Sequence, residues 1–173
     1  MPTGWKTAAQ LQAWLHEYEI ADVRRGSADL GGTLWPCCIS SDARRAYLTA
    51  TAISSGPIIQ TDLAREVEFA EFRTGRLRLP VWAWGLILRL SWVTGHRSQR
   101  ACRDGLRRRV LKLADQLEES TDDTLVVSHA GLMMSLSAEL RRRGFTGPRL
   151  GVAKHAQVYV YERMPKPVPE AEP

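Results

Sequence analysis

The stretch Thr124–Leu132, TLVVSHAGL, constrains the fold more than any other part of the chain. Its β-branched and aliphatic residues predict a buried strand, and the leucines that follow recur every four residues, as in an amphipathic helix. In α/β sheets, anionic ligands bind where such a strand ends and the next helix begins. His129 would lie at that point, and Gly131 would allow a ligand to approach the backbone closely. A histidine that caps a buried helix is the alternative interpretation.

Helical and strand patterns alternate along the rest of the chain. The predicted elements are a helix from the capping box Thr7–Gln10, a strand at Cys37–Ser40, a helix from the caps Ser40–Asp42 to Ile53, a short strand at Ile58–Ile59, a helix over Gln99–Glu118, the strand Thr124–Ser128, a helix to Gly144 and a last strand at Gln157–Tyr161. This alternation predicts an α/β fold, a three-layer sandwich in which helices cover both faces of a mainly parallel sheet.

Length and composition place the chain among soluble globular proteins. Its 173 residues suit one domain, predicted over residues 1–163, and the proline-rich, charged residues 164–173 predict a disordered tail. Three cysteines, two of them adjacent, provide neither a disulfide framework nor a paired metal motif. The N-terminal residues have no apolar signal-peptide core, so a cytoplasmic location is expected.

Two further features bear on partners. Val81–Val93 is apolar and rich in tryptophan, but it has only 13 residues and includes Arg89, so it is too short to span a bilayer. A buried helix is the favoured interpretation, with an interfacial helix as the alternative. The basic runs Arg107–Arg109 and Arg141–Arg143 could follow nucleic acid phosphates, but no nucleic-acid motif accompanies them, so solvated helix faces are predicted.

Three segments, in this order, resemble motifs of the histidine phosphatase (phosphoglycerate mutase-like) superfamily. Ser40–Ala50 (SSDARRAYLTA) is similar to the family's SSDLxRAxxTA, Arg65–Phe69 (REVEF) to its LREIDFG, and Val127–Gly131 (VSHAG) to its VSHGG. The resemblance extends over about Lys6–Arg163. It implies a phosphoglycerate mutase-like fold and hydrolysis of phosphate monoesters through a phosphohistidine, without a metal or an organic cofactor.

The resemblance also implies roles for individual residues. Arg45, His129 and Ala130 would bind the phosphoryl group of a small phosphorylated ligand, and His129 would also stabilise the transition state. Glu66 would be the general acid that protonates the leaving oxygen and then activates water. The alternatives are structural: Arg45 as a surface partner of Asp42, Glu66 as a solvated loop carboxylate, and His129 as a core residue with its hydrogen bonds satisfied.

One motif of the family is missing from the sequence. The family's first strand ends in Arg-His-Gly, whose histidine is the nucleophile, and these 173 residues contain no such tripeptide. Val23–Gly26 (VRRG) and His16 follow or lie within the first predicted helix, so neither is accepted as a replacement. Little or no turnover is expected. Two explanations remain open: an N-terminally incomplete phosphatase, or a non-catalytic module that binds or senses a phosphorylated ligand.

The missing strand also affects the predicted sheet. The family's first strand is central, so its neighbours would have unpaired edges, which invite pairing with another chain. The expected result is a poorly stable or self-associated protein, in which another segment fills the slot. The alternative is that the neighbouring strands close together. A second departure is Gly95–Ser98 (GHRS), where many members have Gly-Glu-Ser, and the tryptophan-rich segment before it is a candidate lid over the site.

Overall fold

A computed structural model describes residues 4–20, 30, 32–70 and 74–163, so Val23–Gly26 and the predicted tail lie outside the described residues. The elements are, in chain order, β1 Trp5–Lys6, α1 Ala8–Ile20, β2 Cys37–Ser41, α2 Arg44–Ile53, β3 Ile58–Thr61, β4 Leu79–Pro80, α3 Val81–Val93, α4 Arg100–Glu119, β5 Thr124–Val127 and α5 Ala130–Arg142. Short 3-10 helices at Asp62–Ala64 and Arg97–Gln99 precede the site loop and α4.

The main sheet has three parallel strands in the order β3-β2-β5. Ile39 in β2 lies opposite Ile59 in β3 and Val126 in β5, so the carboxyl ends of all three strands meet at one edge. A second, antiparallel pair joins β1 to β4, with Trp5 opposite Pro80. The three predicted strands around Cys37, Ile58 and Thr124 are confirmed.

Helices cover both faces of the main sheet. Side chains alternate across β2 and β5, so Cys38, Leu125 and Val127 pack against α2, whereas Ile39 and Val126 pack against α4 and α5. The predicted fold class, an α/β sandwich with a parallel sheet flanked by helices, is therefore confirmed. A third cluster contains Leu11 of α1 and Trp84 of α3.

The capping box of α1 forms as the sequence predicts. The backbone N–H of Gln10 donates to Thr7 Oγ1 at 3.2 Å, and the backbone N–H of Thr7 donates to Gln10 Oε1 at 3.0 Å. The caps predicted for α2 are wrong. Its N-cap is Ala43, whose side chain makes no capping hydrogen bond. Ser41 Oγ accepts the backbone N–H of Ala43, and the Asp42 carboxylate pairs with Arg65, so neither predicted cap bonds the first turn of the helix.

The predicted last strand, Gln157–Tyr161, is also wrong. These residues are not extended in a ladder, and the nearest pairing is an isolated bridge between Thr146 and Glu162. The hydroxyl of Tyr161 instead donates to Ser137 Oγ at 2.7 Å, which ties the segment to α5. Alternation of apolar residues is a local signal, whereas a strand also needs a neighbour to pair with.

β5 is an edge strand in the part of the chain that the structure describes. It pairs with β2 on one side, and the other side borders a cavity of about 940 Å³. Residues Ala153–Tyr161 also line this cavity and do not pair with β5. Among the described residues, β5 therefore has an open edge at the predicted slot, and the neighbouring strands do not close on each other.

Each of the basic runs Arg107–Arg109 and Arg141–Arg143 has two exposed arginines followed by one that is half-buried. Arg143 donates to Glu139 Oε1 at 2.8 Å and to Asp115 Oδ1 at 2.6 Å, which joins α5 to α4. Hydrogen bonds from Arg142, and then from Arg143, lower the pKa of Glu139 to about 2. The prediction of solvated faces therefore holds for the exposed pairs and is wrong for Arg109 and Arg143.

Candidate functional site

Arg45 and His129 meet at the carboxyl edge of the sheet. Ser41 is the last residue of β2, and Arg45 lies in the first turn of α2. His129 follows β5 and is the N-cap of α5. Arg45 Nε lies 3.2 Å from His129 Nδ1, and the second ring nitrogen, Nε2, lies 3.1 Å from Ser41 Oγ. A guanidinium only donates, so Nδ1 accepts and Nε2 carries the ring hydrogen that bonds Ser41.

His129 is buried, with 7% of its surface exposed. Burial lowers its pKa from 6.5 to about 4, and the positive charge of Arg45 acts in the same direction. Asp42 raises the pKa by a smaller amount, and its own carboxylate is paired with Arg65. The ring is therefore neutral at pH 7, as its hydrogen bond from Arg45 requires.

This lowered pKa predicts a loss of stability in acid. Above pH 6.5 the ring is neutral in both the folded and the unfolded chain, so it contributes no pH dependence. As the pH falls from 6.5 to about 4, only the unfolded chain gains the proton, and the free energy of unfolding should fall by about 3 kcal/mol. Urea unfolding at several pH values should show this extra loss in the wild type relative to His129→Gln. Parallel curves for the two proteins would contradict the assignment.

Glu66 is held beside the same histidine. Its Oε1 accepts the backbone N–H of Val67 at 2.9 Å and that of Gly131 at 3.0 Å. Gly131 is the second residue of α5, so Glu66 lies at the N-terminus of the helix that His129 caps. Backbone N–H groups at a helix N-terminus attract negative charge. Oε1 therefore accepts two backbone hydrogen bonds, which fix the position of the carboxylate.

Three side chains fix the loop that carries Glu66. Arg109 donates to the carbonyl oxygens of Arg65 at 2.7 Å and Glu66 at 3.1 Å. Gln99 is fully buried, and its amide bonds both the N–H and the C=O of Ala70. Ser128 Oγ donates to the carbonyl of Ala64 at 2.7 Å. The sequence predicted none of these three contacts, because long-range contacts to backbone groups have no motif.

Gly131 is required by the close approach of the Glu66 loop to α5. A Cβ added at Gly131 would lie 2.6 Å from Val67 Cγ2 and 2.7 Å from Glu66 Oε1. Gly131→Ala should therefore lower the free energy of unfolding by about 1–3 kcal/mol, the usual cost of overpacking. The matched control is Gly105→Ala in α4, where no atom lies within 4 Å. Gly105→Ala should be neutral or stabilising by up to about 1 kcal/mol. Equal changes in the free energy of unfolding for Gly131→Ala and Gly105→Ala, measured in urea, would contradict this account.

The predicted site residues line one cavity. Arg45, Glu66, His129 and Ala130 all border the cavity of about 940 Å³ beside the open edge of β5. Ala130 begins α5 and is exposed. The structure therefore brings the four residues together at the carboxyl edge of the sheet, although their chemical roles stay predictions. No described residue of α3 lines the cavity, so the predicted lid is not observed.

Among the described residues, no group of three or more histidine, cysteine, aspartate or glutamate side chains is arranged to hold a metal ion. Within the same residues, every helix is either too short or too polar to cross a membrane.

Two solved structures of phosphatases resemble this chain. A candidate alpha-ribazole-5′-P phosphatase from Escherichia coli has a similar structure (TM-score 0.46, 23% identity, 64% of this chain and 59% of that one). A mycobacterial glucosyl-3-phosphoglycerate phosphatase is similar as well (TM-score 0.42, 23% identity, 65% of this chain and 60% of that one). The chain thus spans about three fifths of each protein's length.

The sequence comparisons give the family. No curated protein sequence matches the chain. The family model of the histidine phosphatase superfamily (branch 1) matches residues 2–166, which is nearly the whole sequence. The chain belongs to the histidine phosphatase superfamily.

Proposed function

We propose that this chain is a phosphatase domain that binds the phosphoryl group of a small phosphate monoester at Arg45 and His129. The contact of Arg45 with His129 beside Glu66, at the carboxyl edge of a parallel sheet, carries this proposal. A guanidinium can bind two phosphoryl oxygens with two parallel hydrogen bonds. The backbone N–H groups at the start of α5, next to Ala130, add a favourable dipole for an anion.

Ligand binding would change the bonds of His129. In the structure Arg45 and Ser41 occupy both ring nitrogens, so the ring offers no free N–H to a phosphoryl oxygen. We infer that the guanidinium of Arg45 turns from Nδ1 to the anion when phosphate binds. The nearby negative charge then raises the pKa of His129, so that the ring can hold a second proton and donate to the phosphoryl group.

Glu66 is the proposed proton carrier. Two backbone N–H groups hold its Oε1, so a leaving oxygen or an attacking water would meet Oε2. This fixed position suits a general acid that later acts as a base. Arg109 supports it by donating to the carbonyl oxygens of Arg65 and Glu66.

We propose that the 173 residues alone hydrolyse a phosphate monoester at no more than the background rate. A phosphohistidine forms when a ring nitrogen attacks phosphorus with its lone pair. In the structure the lone pair of His129 Nδ1 points to Arg45, and the sequence contains no Arg-His-Gly. The second candidate function is a non-catalytic module that binds a phosphorylated ligand with the same residues.

The open edge of β5 supports the view that a further strand completes the site. The cavity of about 940 Å³ is at the upper end of the range for small-molecule pockets, about 300–1,000 Å³. Every residue of β5 lines it, together with Ser128 and His129. Unpaired backbone groups along a buried edge are costly, so an extended segment running beside β5 would stabilise the sheet.

Oxyanion binding tests the site without requiring turnover. Arg45→Ala should weaken the binding of inorganic phosphate by about 1.5–3 kcal/mol, the range for hydrogen bonds to charged groups. Arg44→Ala is the matched control, because Arg44 is the exposed neighbour in the same helix turn. Titration calorimetry with phosphate should separate the two variants. Equal affinities for the wild type and Arg45→Ala would contradict the proposed site.

A cytoplasmic location is part of the proposal. The three cysteines are free thiols, as is typical of proteins in a reducing compartment. Self-association through the open edge of β5 stays a prediction, which light scattering can test.

A further inference from the structure

The positive charge of the chain is concentrated in one segment. The chain has 24 lysines and arginines and 19 aspartates and glutamates. Six of the arginines and none of the acidic residues lie in Gly75–Arg103, so the rest of the chain carries 18 basic and 19 acidic residues. The basic segment Gly75–Arg103 contains the whole of α3. A surface formed by this segment would therefore attract anions.

α3 has an anchored inner face and an apolar outer face. Trp84 is 1% exposed, and its indole Nε1 donates to the carbonyl of Lys6 at 2.7 Å. On the opposite face Trp82 is 73% and Val93 is 79% exposed. The exposed apolar residues form one stripe along the helix, with four-, four- and three-residue steps: Trp82, Leu86, Leu90 and Val93. The expectation that Val81–Val93 is buried is therefore wrong for this outer stripe.

Along the chain, arginines precede the stripe, lie within it and follow it. Arg78 at its start donates to the carbonyl of Trp5, a second tryptophan that is largely exposed. Arg89 is exposed within α3 itself, between Leu86 and Leu90. At the end of the helix the guanidinium of Arg103 lies against Gly95. The surface thus combines tryptophan, aliphatic side chains and arginine.

We propose that the outer stripe of α3 docks on an anionic lipid surface. Tryptophan and leucine side chains are favourable at the boundary between head groups and acyl chains, and nearby arginines are attracted to anionic lipids. With 13 residues the helix is about 20 Å long, so it would lie in the plane of the interface. This inference is independent of the proposed phosphatase function.

Two other occupants fit the stripe less well. A second copy of the chain in a two-fold dimer would place the same arginines opposite each other, with no acidic residue of Gly75–Arg103 to balance them. Nucleic acid would satisfy the arginines, but its phosphate backbone would leave the leucines and Val93 in water. An anionic bilayer satisfies both the charges and the apolar side chains.

Sedimentation of the full chain with vesicles tests this proposal. The protein should sediment with vesicles that contain phosphatidylglycerol and much less with pure phosphatidylcholine vesicles. The double variant Trp82→Gln/Leu86→Gln should bind at least about ten-fold more weakly, because burial of each side chain is lost. Removing Arg89 with Arg89→Gln should weaken binding about five-fold and only to the anionic vesicles. Circular dichroism verifies that each variant is folded.

The matched control is Leu34→Gln/Val152→Gln, which removes two exposed apolar side chains outside the segment. It should bind the anionic vesicles as the wild type does. The proposal is overturned by a wild type that does not bind them, or by equal binding of the two double variants. The proposal is equally overturned if the wild type does not sediment with vesicles and Trp82→Gln/Leu86→Gln abolishes self-association or DNA binding.

Discussion

A version of this chain extended by a strand that ends in Arg-His-Gly should hydrolyse an aryl phosphate at least about 10³-fold faster than the 173 residues alone. The strand would lie beside the open edge of β5, whose carboxyl end leads to His129. Because parallel strands end at the same edge, the added histidine would then face the cavity near Arg45 and Glu66. In the proposed account the added histidine supplies the nucleophile, and Arg45, Glu66 and His129 supply the rest of the site.

The controls for this prediction separate catalysis from folding. A strand of about six residues with β-branched side chains is long enough to pair along β5. The same extension with alanine in place of its histidine should fold alike and remain inactive. In the active extended chain, Glu66→Gln should lower the rate about 10²–10⁴-fold, as expected for a general acid. Turnover by the 173 residues above the background rate that His129→Ala abolishes would contradict the proposal that these residues lack a nucleophile.

Trp84→Ala should lower the free energy of unfolding by about 3–5 kcal/mol, which is the largest effect expected of a single substitution in α3. The indole is buried between α1 and α3, and it also bonds the backbone of Lys6 in β1. Its removal would leave a cavity and an unsatisfied carbonyl at the junction of three elements. Urea unfolding followed by circular dichroism measures the loss.

Trp82→Ala in the same helix is the control. Its side chain is 73% exposed, so the expected change is within about 0.5 kcal/mol. Trp84→Phe keeps most of the side-chain volume. It should lower the free energy of unfolding by about 1–3 kcal/mol, because the hydrogen bond to the Lys6 carbonyl is lost. Similar losses for Trp82→Ala and Trp84→Ala would contradict the assignment of inner and outer faces.

The sequence was informative where local patterns determine structure. The strand and helix around Thr124–Leu132 follow from a buried apolar run and four-residue periodicity, and both are present. The motifs with Arg45, Glu66 and His129 predict one site because they follow or flank parallel strands, whose carboxyl ends share an edge. Contact between Arg45 and His129 could be expected on that ground alone.

Features that depend on distant partners could not be predicted. Serine is typical of helix caps, but the hydroxyl of Ser41 is hydrogen-bonded to His129, which is 88 residues away in the sequence. Arg109 belongs to a run typical of a solvated face, but it holds the Glu66 loop. Gln157–Tyr161 alternates like a strand, whereas pairing depends on a neighbour that the pattern does not specify.

Proton NMR of the His129 ring, recorded across pH with and without inorganic phosphate, tests the central claim most directly. Without phosphate the ring should titrate with a pKa of about 4. Phosphate bound at Arg45 should raise that pKa by at least about one unit, because an anion stabilises the charged ring. The increase should be absent in Arg45→Ala and present in Arg44→Ala. An identical titration of wild-type His129 with and without phosphate would contradict the assignment of Arg45 and His129 as a phosphoryl site.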